Sequence, residues 1–99
     1  MAEYLLAHDL GTSGNKAVLY REDGTLAASA LYEYPTFYPF PGAVEQDPER
    51  WWEAVCHSTK RLLAESGIPK EEVAAVSFSA QMMGCLVVDQ AGEPLRNML

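Results

Sequence analysis

The sequence is short of cysteine, histidine and positive charge, and each shortage removes a class of function. Its two cysteines, Cys56 and Cys85, are too few for a disulfide framework and lack the paired spacing of a zinc site. Both read as ordinary thiols of a reduced compartment. His8 and His57 have no second ligand or base spaced to join them, and both read as structural. Seven Lys and Arg stand against fourteen Asp and Glu, a formal net charge of −7. That balance leaves no basic surface for nucleic acid or an anionic membrane. No apolar run is long enough to span a bilayer and no basic leader precedes Tyr4, so the expectation is a cytoplasmic chain without a membrane partner. Internal repeats and low-complexity tracts are missing too.

What is present suffices for a small packed domain, since 48% of the 99 residues are apolar. Tyr4 to His8 reads as a short apolar strand and Lys16 to Tyr20 as a second, joined by a polar turn with two glycines. Asp23-Gly24 is a strong hairpin signal, and a third strand is expected from Leu26 to Tyr34. Pro35 to Gly42 holds three prolines with Phe37, Tyr38 and Phe40, and reads as an ordered loop lying against something. Asp47 as N-cap, Pro48 at the first position and Glu49 in the first turn open a helix. Its apolar face is expected to carry Trp52, Val55, Thr59, Leu62 and Leu63, and Gly67 with Pro69 ends it. Val73 to Ala80 is a strand, broken by Gln81-Met82-Met83-Gly84. Cys85 to Val88 and Pro94 to Leu99 are expected as two further strands about a turn. Three antiparallel strands, a helix and a strand able to lie parallel to the first make the opening half of an α/β ribonuclease H-like domain, the fold of actin- and hexokinase-type ATPases.

Chemistry has two main places to sit. In Asp9-Leu10-Gly11-Thr12-Ser13-Gly14-Asn15-Lys16, a tight glycine-bearing hairpin exposes successive N–H groups that suit an anion. Thr12 and Ser13 add hydroxyl donors, and Lys16 adds a mobile positive charge. Asp9 beside a phosphate suits hydrated magnesium, which takes few carboxylates. A plain hairpin with a surface lysine is an equal reading of these residues alone. The segment is no P-loop, because a strand rather than a helix follows it. The second place is Ser77 to Gly84, where a strand ends at the carboxyl edge of the sheet and Gln81 offers both a donor and an acceptor. Met82 and Met83 read slightly better as core filler than as ligand contacts. Glu45 and Gln46 are a third, weaker candidate for reaching a ligand, and read better as a solvated loop.

Three blocks in order then resemble one family, the FGGY carbohydrate kinases, and the xylulokinases among them in particular. They are Asp9 to Val18, Pro41 to Pro48 with Trp51-Trp52, and Ser79 to Gly84 with Asp89. The resemblance implies ATP and magnesium as cofactors and transfer of the γ-phosphoryl group to a sugar hydroxyl. It implies Gly11, Thr12, Ser13 and Lys16 near the phosphates, Asp9 near the metal, and Gln81, Met82 and Met83 lining the sugar pocket. Residues 1–99 would be the N-terminal part of a first, sugar-binding domain. The base aspartate is expected downstream, so these residues hold no catalytic base and are expected to be inactive alone. A homodimer is the expected assembly of a full-length parent. Met83 stands where xylulokinases usually carry histidine, and Met82-Met83 where glycerol kinases carry arginine and glutamate. A non-catalytic nucleotide- or sugar-binding module is the alternative.

Overall fold

The computed structural model describes residues 3–99. Four strands form one sheet: β1 (Tyr4–Leu10), β2 (Gly14–Arg21), β3 (Leu26–Glu33) and β4 (Val73–Ala80), in the order β3-β2-β1-β4. The first three are antiparallel neighbours, and β4 lies parallel to β1. This is the expected ribonuclease H-like opening. A parallel pair needs a crossover, and α1 (Pro48–Ser66) supplies it, followed by a short 3₁₀ turn at Lys70–Glu72.

The helix begins and ends where its capping chemistry dictates. Asp47 accepts a hydrogen bond from the Glu49 amide, Pro48 occupies the first turn, and Gly67 closes the helix in the left-handed region at φ 72°. Its inward face is Ala54, Val55, Ser58 and Leu62, at spacings of three and four. This face packs on β2 and β3, and the strand period of two brings Leu6 of β1, Ala17 and Leu19 of β2 and Ala30 of β3 to the same side. Leu19 and Leu62 are the largest apolar side chains fully enclosed there. The small Ala17 and Ala30 let the helix approach the sheet closely.

Several expectations are corrected. β1 and β2 run to the hairpin tip at Leu10 and from Gly14, because every pair from Tyr4–Arg21 to Leu10–Asn15 is made. Trp52 is exposed and Trp51 is the inner one of the pair, since the helix face turned toward the protein is set by Ala54, Val55 and Ser58. Phe37, Tyr38 and Phe40 are exposed among the described residues, and the loop is held instead by backbone bonds between Phe37 and Glu45. Cys85–Val88 and Pro94–Leu99 do pair with each other, through Cys85–Leu99, Val87–Leu95 and Asp89–Glu93 bonds, but form no regular ladder. Pro94 has no N–H to give, and the one further backbone pairing of these segments among the described residues is the isolated Gln46–Met98 bridge.

The helix leaves β4 open. Every β4 residue after Val73 is exposed, including Val76 and Phe78 on the helix side. No described helix is long and apolar enough to cross a membrane.

Candidate phosphate hairpin and acceptor cleft

Between β1 and β2 the chain reverses over Thr12 and Ser13, with the Gly11 amide donating to Gly14 O at 3.0 Å. The demanding glycine is Gly14. A Cβ there would lie 2.8 Å from Tyr32 O and 2.9 Å from Glu33 Cα, both backbone atoms of β3. At Gly11 the nearest atom would be 3.5 Å away, an ordinary contact.

The carbonyls of this tip are all engaged from outside. The Tyr34 hydroxyl donates to Gly11 O, Gln46 Nε2 donates to Thr12 O at 2.7 Å, and the Tyr34 amide donates to Ser13 O at 3.2 Å. Among the described residues no acceptor faces the amides of Thr12 and Ser13, and both residues are exposed. Pulling the carbonyls inward leaves the donors outward, so the tip presents N–H and O–H groups to its surroundings. Burial, and secondarily the Asp9 carboxylate, raises the Tyr34 phenol above its ordinary value and keeps it a hydrogen-bond donor.

Thr12 and Ser13 border a cleft of about 600 Å³ whose other walls include Tyr34, Gln46, Gln81, Met82 and Met83. The Gln81 amide donates to Leu10 O at 2.7 Å, continuing the β1–β4 pairing by one step and placing this corner beside the hairpin. Met82 and Met83 are not core filler: they are 86% and 102% exposed at the cleft. Met83 also has φ 65°, the single non-glycine residue in the left-handed region among those described.

Asp9 and Lys16 stand apart from this cleft. They face each other in register on the side of the sheet away from the helix and border a shallower depression with Ser77 and Ser79. Ser79 Oγ donates to Asp9 Oδ1 at 3.0 Å. Among the described residues no group of three or more His, Cys, Asp or Glu converges. The fit is therefore to a cation bound by one carboxylate, water and a ligand's own oxygens, which is how magnesium is commonly held.

The sequence did not reveal three of the site's supports. Gln46 is buried rather than solvated, Glu45 is engaged by Arg96 at 3.2 Å and Asn97 at 3.3 Å, and Tyr34 is 5% exposed. Nothing in spacing marks Gln46; its partners come from four separate segments. Tyr34 had one signal, its position at the end of a strand just before Pro35.

Comparison with known proteins shows the family and the fold. Residues 4–99 match the N-terminal domain of the FGGY family of carbohydrate kinases. Glycerol kinase of Rippkaea orientalis is 36% identical over 97 residues, covering 97% of this chain and 19% of the relative. The solved structure of a "xyloylose kinase" from Brucella ovis superposes with a TM-score of 0.93 at 32% identity, covering 98% of this chain and 20% of that one. Gluconate kinase from Lactobacillus acidophilus gives 0.91 at 30%, covering 100% and 20%. These relatives act on different acceptors by name, so xylulose is not singled out. The chain spans about a fifth of their length, and it belongs to the FGGY family of carbohydrate kinases.

Proposed function

We propose that the whole protein transfers the γ-phosphoryl group of ATP to a hydroxyl of a sugar or polyol. Residues 1–99 form the N-terminal part of its sugar-binding domain. The observation that supports this reading best is the hairpin tip: its three carbonyls are tied inward, and its free donors border the same cleft as Gln81. In this reading Thr12 and Ser13 receive phosphate oxygens at the hairpin tip, and Gly11, whose amide is committed to Gly14 O, shapes the turn. Lys16 and Asp9 meet phosphate and hydrated magnesium from the depression on the other side of the sheet. Gln81, Met82 and Met83 line the acceptor pocket. Magnesium, when bound, neutralises charge developing on the transferring phosphoryl group. The chain's own residues bind and orient, which is most of what phosphoryl transfer asks of a protein. General-base chemistry falls to residues downstream, so the segment alone is inactive. The methionines replace polar contacts, and losing a hydrogen bond from such a pocket costs roughly 1–3 kcal/mol, enough to change the preferred acceptor.

The test is a coupled ADP-release assay on the whole protein with pentuloses, hexuloses, polyols, glycerol and gluconate. Turnover with one acceptor class is the expected result. ATP binding without turnover on any of them would replace the kinase reading with that of a binding module.

A further inference from the structure

Gln46 is the most highly connected side chain at the site. It is 3% exposed, and its amide uses its full hydrogen-bonding capacity. Nε2 donates to Thr12 O at 2.7 Å and to Thr36 Oγ1 at 2.9 Å; Oε1 accepts from Trp51 Nε1 at 3.0 Å and Gln81 Nε2 at 2.7 Å. The partners fix which end is which, since a carbonyl oxygen can only accept and an indole N–H can only donate. The same constraint passes to Gln81. Its nitrogen end is turned to Gln46, so Oε1 is the end left over. That oxygen is not a buried, unpartnered atom, and the residue lines the cleft.

We propose that Gln46 is a positioning residue that sets both halves of the site through one buried amide. It draws Thr12 O inward, so that the hairpin amides face a phosphate. It also holds Gln81 so that an acceptor oxygen, Oε1, meets the substrate. The alcohol this selects carries a hydroxyl that donates to Gln81 Oε1, and a deoxy analogue at that position is discriminated against. The inference deepens the phosphoryl-transfer reading and rests on it.

The experiment compares Gln46→Glu with wild type in the whole protein, by steady-state kinetics and by calorimetry with ADP. The substitution removes both donors, to Thr12 O and Thr36 Oγ1, while leaving an acceptor for Trp51 and Gln81. KM for ATP is expected to rise, and ADP affinity to fall, about tenfold, the equivalent of one hydrogen bond. KM for the alcohol is expected to stay within about twofold. Gln81→Glu is expected to show the converse split. If the buried carboxylate prevents folding, a cycle of Gln46→Met and Gln81→Met serves instead, and strongly non-additive effects on the alcohol KM are expected. Equal changes in both KM values for Gln46→Glu, a fall in its kcat alone, or an additive methionine cycle would overturn the proposal. If wild type phosphorylates nothing, the kinase reading fails separately. The ADP titration still decides Gln46's role: weaker binding by the variant supports it and equal binding overturns it.

Discussion

Asn15 Nδ2 donates to His8 Nδ1 at 2.9 Å, and that bond fixes the imidazole as the neutral Nε2–H tautomer. Nε2 then points at Thr59 Oγ1, 3.2 Å away, and Asn15 Nδ2 also donates to Ser58 Oγ at 2.9 Å. The two hydroxyls donate onward to Ala54 O and Val55 O. A polar chain thus crosses from sheet to helix inside the core, which is why His8, although chemically capable, reads as structural. Phe78 stacks on the imidazole at 5.2 Å, and burial lowers the His8 pKa below the ordinary value.

This network predicts acid sensitivity. Below about pH 6.5 the unfolded chain takes up a proton at His8 that the folded chain refuses, so stability falls as pH drops. The loss continues until the lowered folded-state pKa is reached. The contribution is fully present above about pH 6.5. Urea unfolding at pH 7.5 and 5.5 should show a larger loss for wild type than for His8→Gln. Equal losses would mean that His8 does not report on folding.

Gly14→Ala should destabilise by roughly 1–3 kcal/mol, because its Cβ would press on the β3 backbone rather than on a flexible side chain. Thermal melts measure the loss. Gly11→Ala, with only an ordinary contact at 3.5 Å, should cost less. A reversed order would mean that β3 yields more readily than the turn does.

Leu62→Ala should cost roughly 2–5 kcal/mol, since Leu62 is 1% exposed and closes the core cluster. Trp52→Ala removes more atoms from a residue that is 64% exposed, and should stay within about 0.5 kcal/mol. Denaturant midpoints at constant slope would compare the two.

Local chemistry made the strand order and the helix limits legible. Asp47 and Gly67 each act on the backbone next to them, and the Val73–Ala80 strand needs only its own β-branched and small residues. Which tryptophan faces inward was not legible, because Trp51 and Trp52 are adjacent and the helix rotation is set by Ala54, Val55 and Ser58 against the sheet. The hairpin and Gln81 were legible as candidates for the same reason: the glycines, hydroxyls and amide are written consecutively. Gln46 was not, because a glutamine gains a role only from partners at positions 12, 36, 51 and 81, which the fold brings together.

Met83 allows stability and recognition to be separated. Its side chain is fully exposed, so it contributes little packing, and its φ of 65° is costly for a residue with a Cβ. Glycine removes that cost, although it also enlarges the unfolded ensemble, and the two effects are each about 1 kcal/mol or less. Met83→Gly should therefore leave the melting temperature unchanged or slightly raised. If the thioether contacts the acceptor alcohol, the same substitution should raise KM for that alcohol severalfold while leaving KM for ATP in place. An unchanged alcohol KM would remove Met83 from the acceptor pocket and leave Gln81 and Met82 as its candidates on this segment.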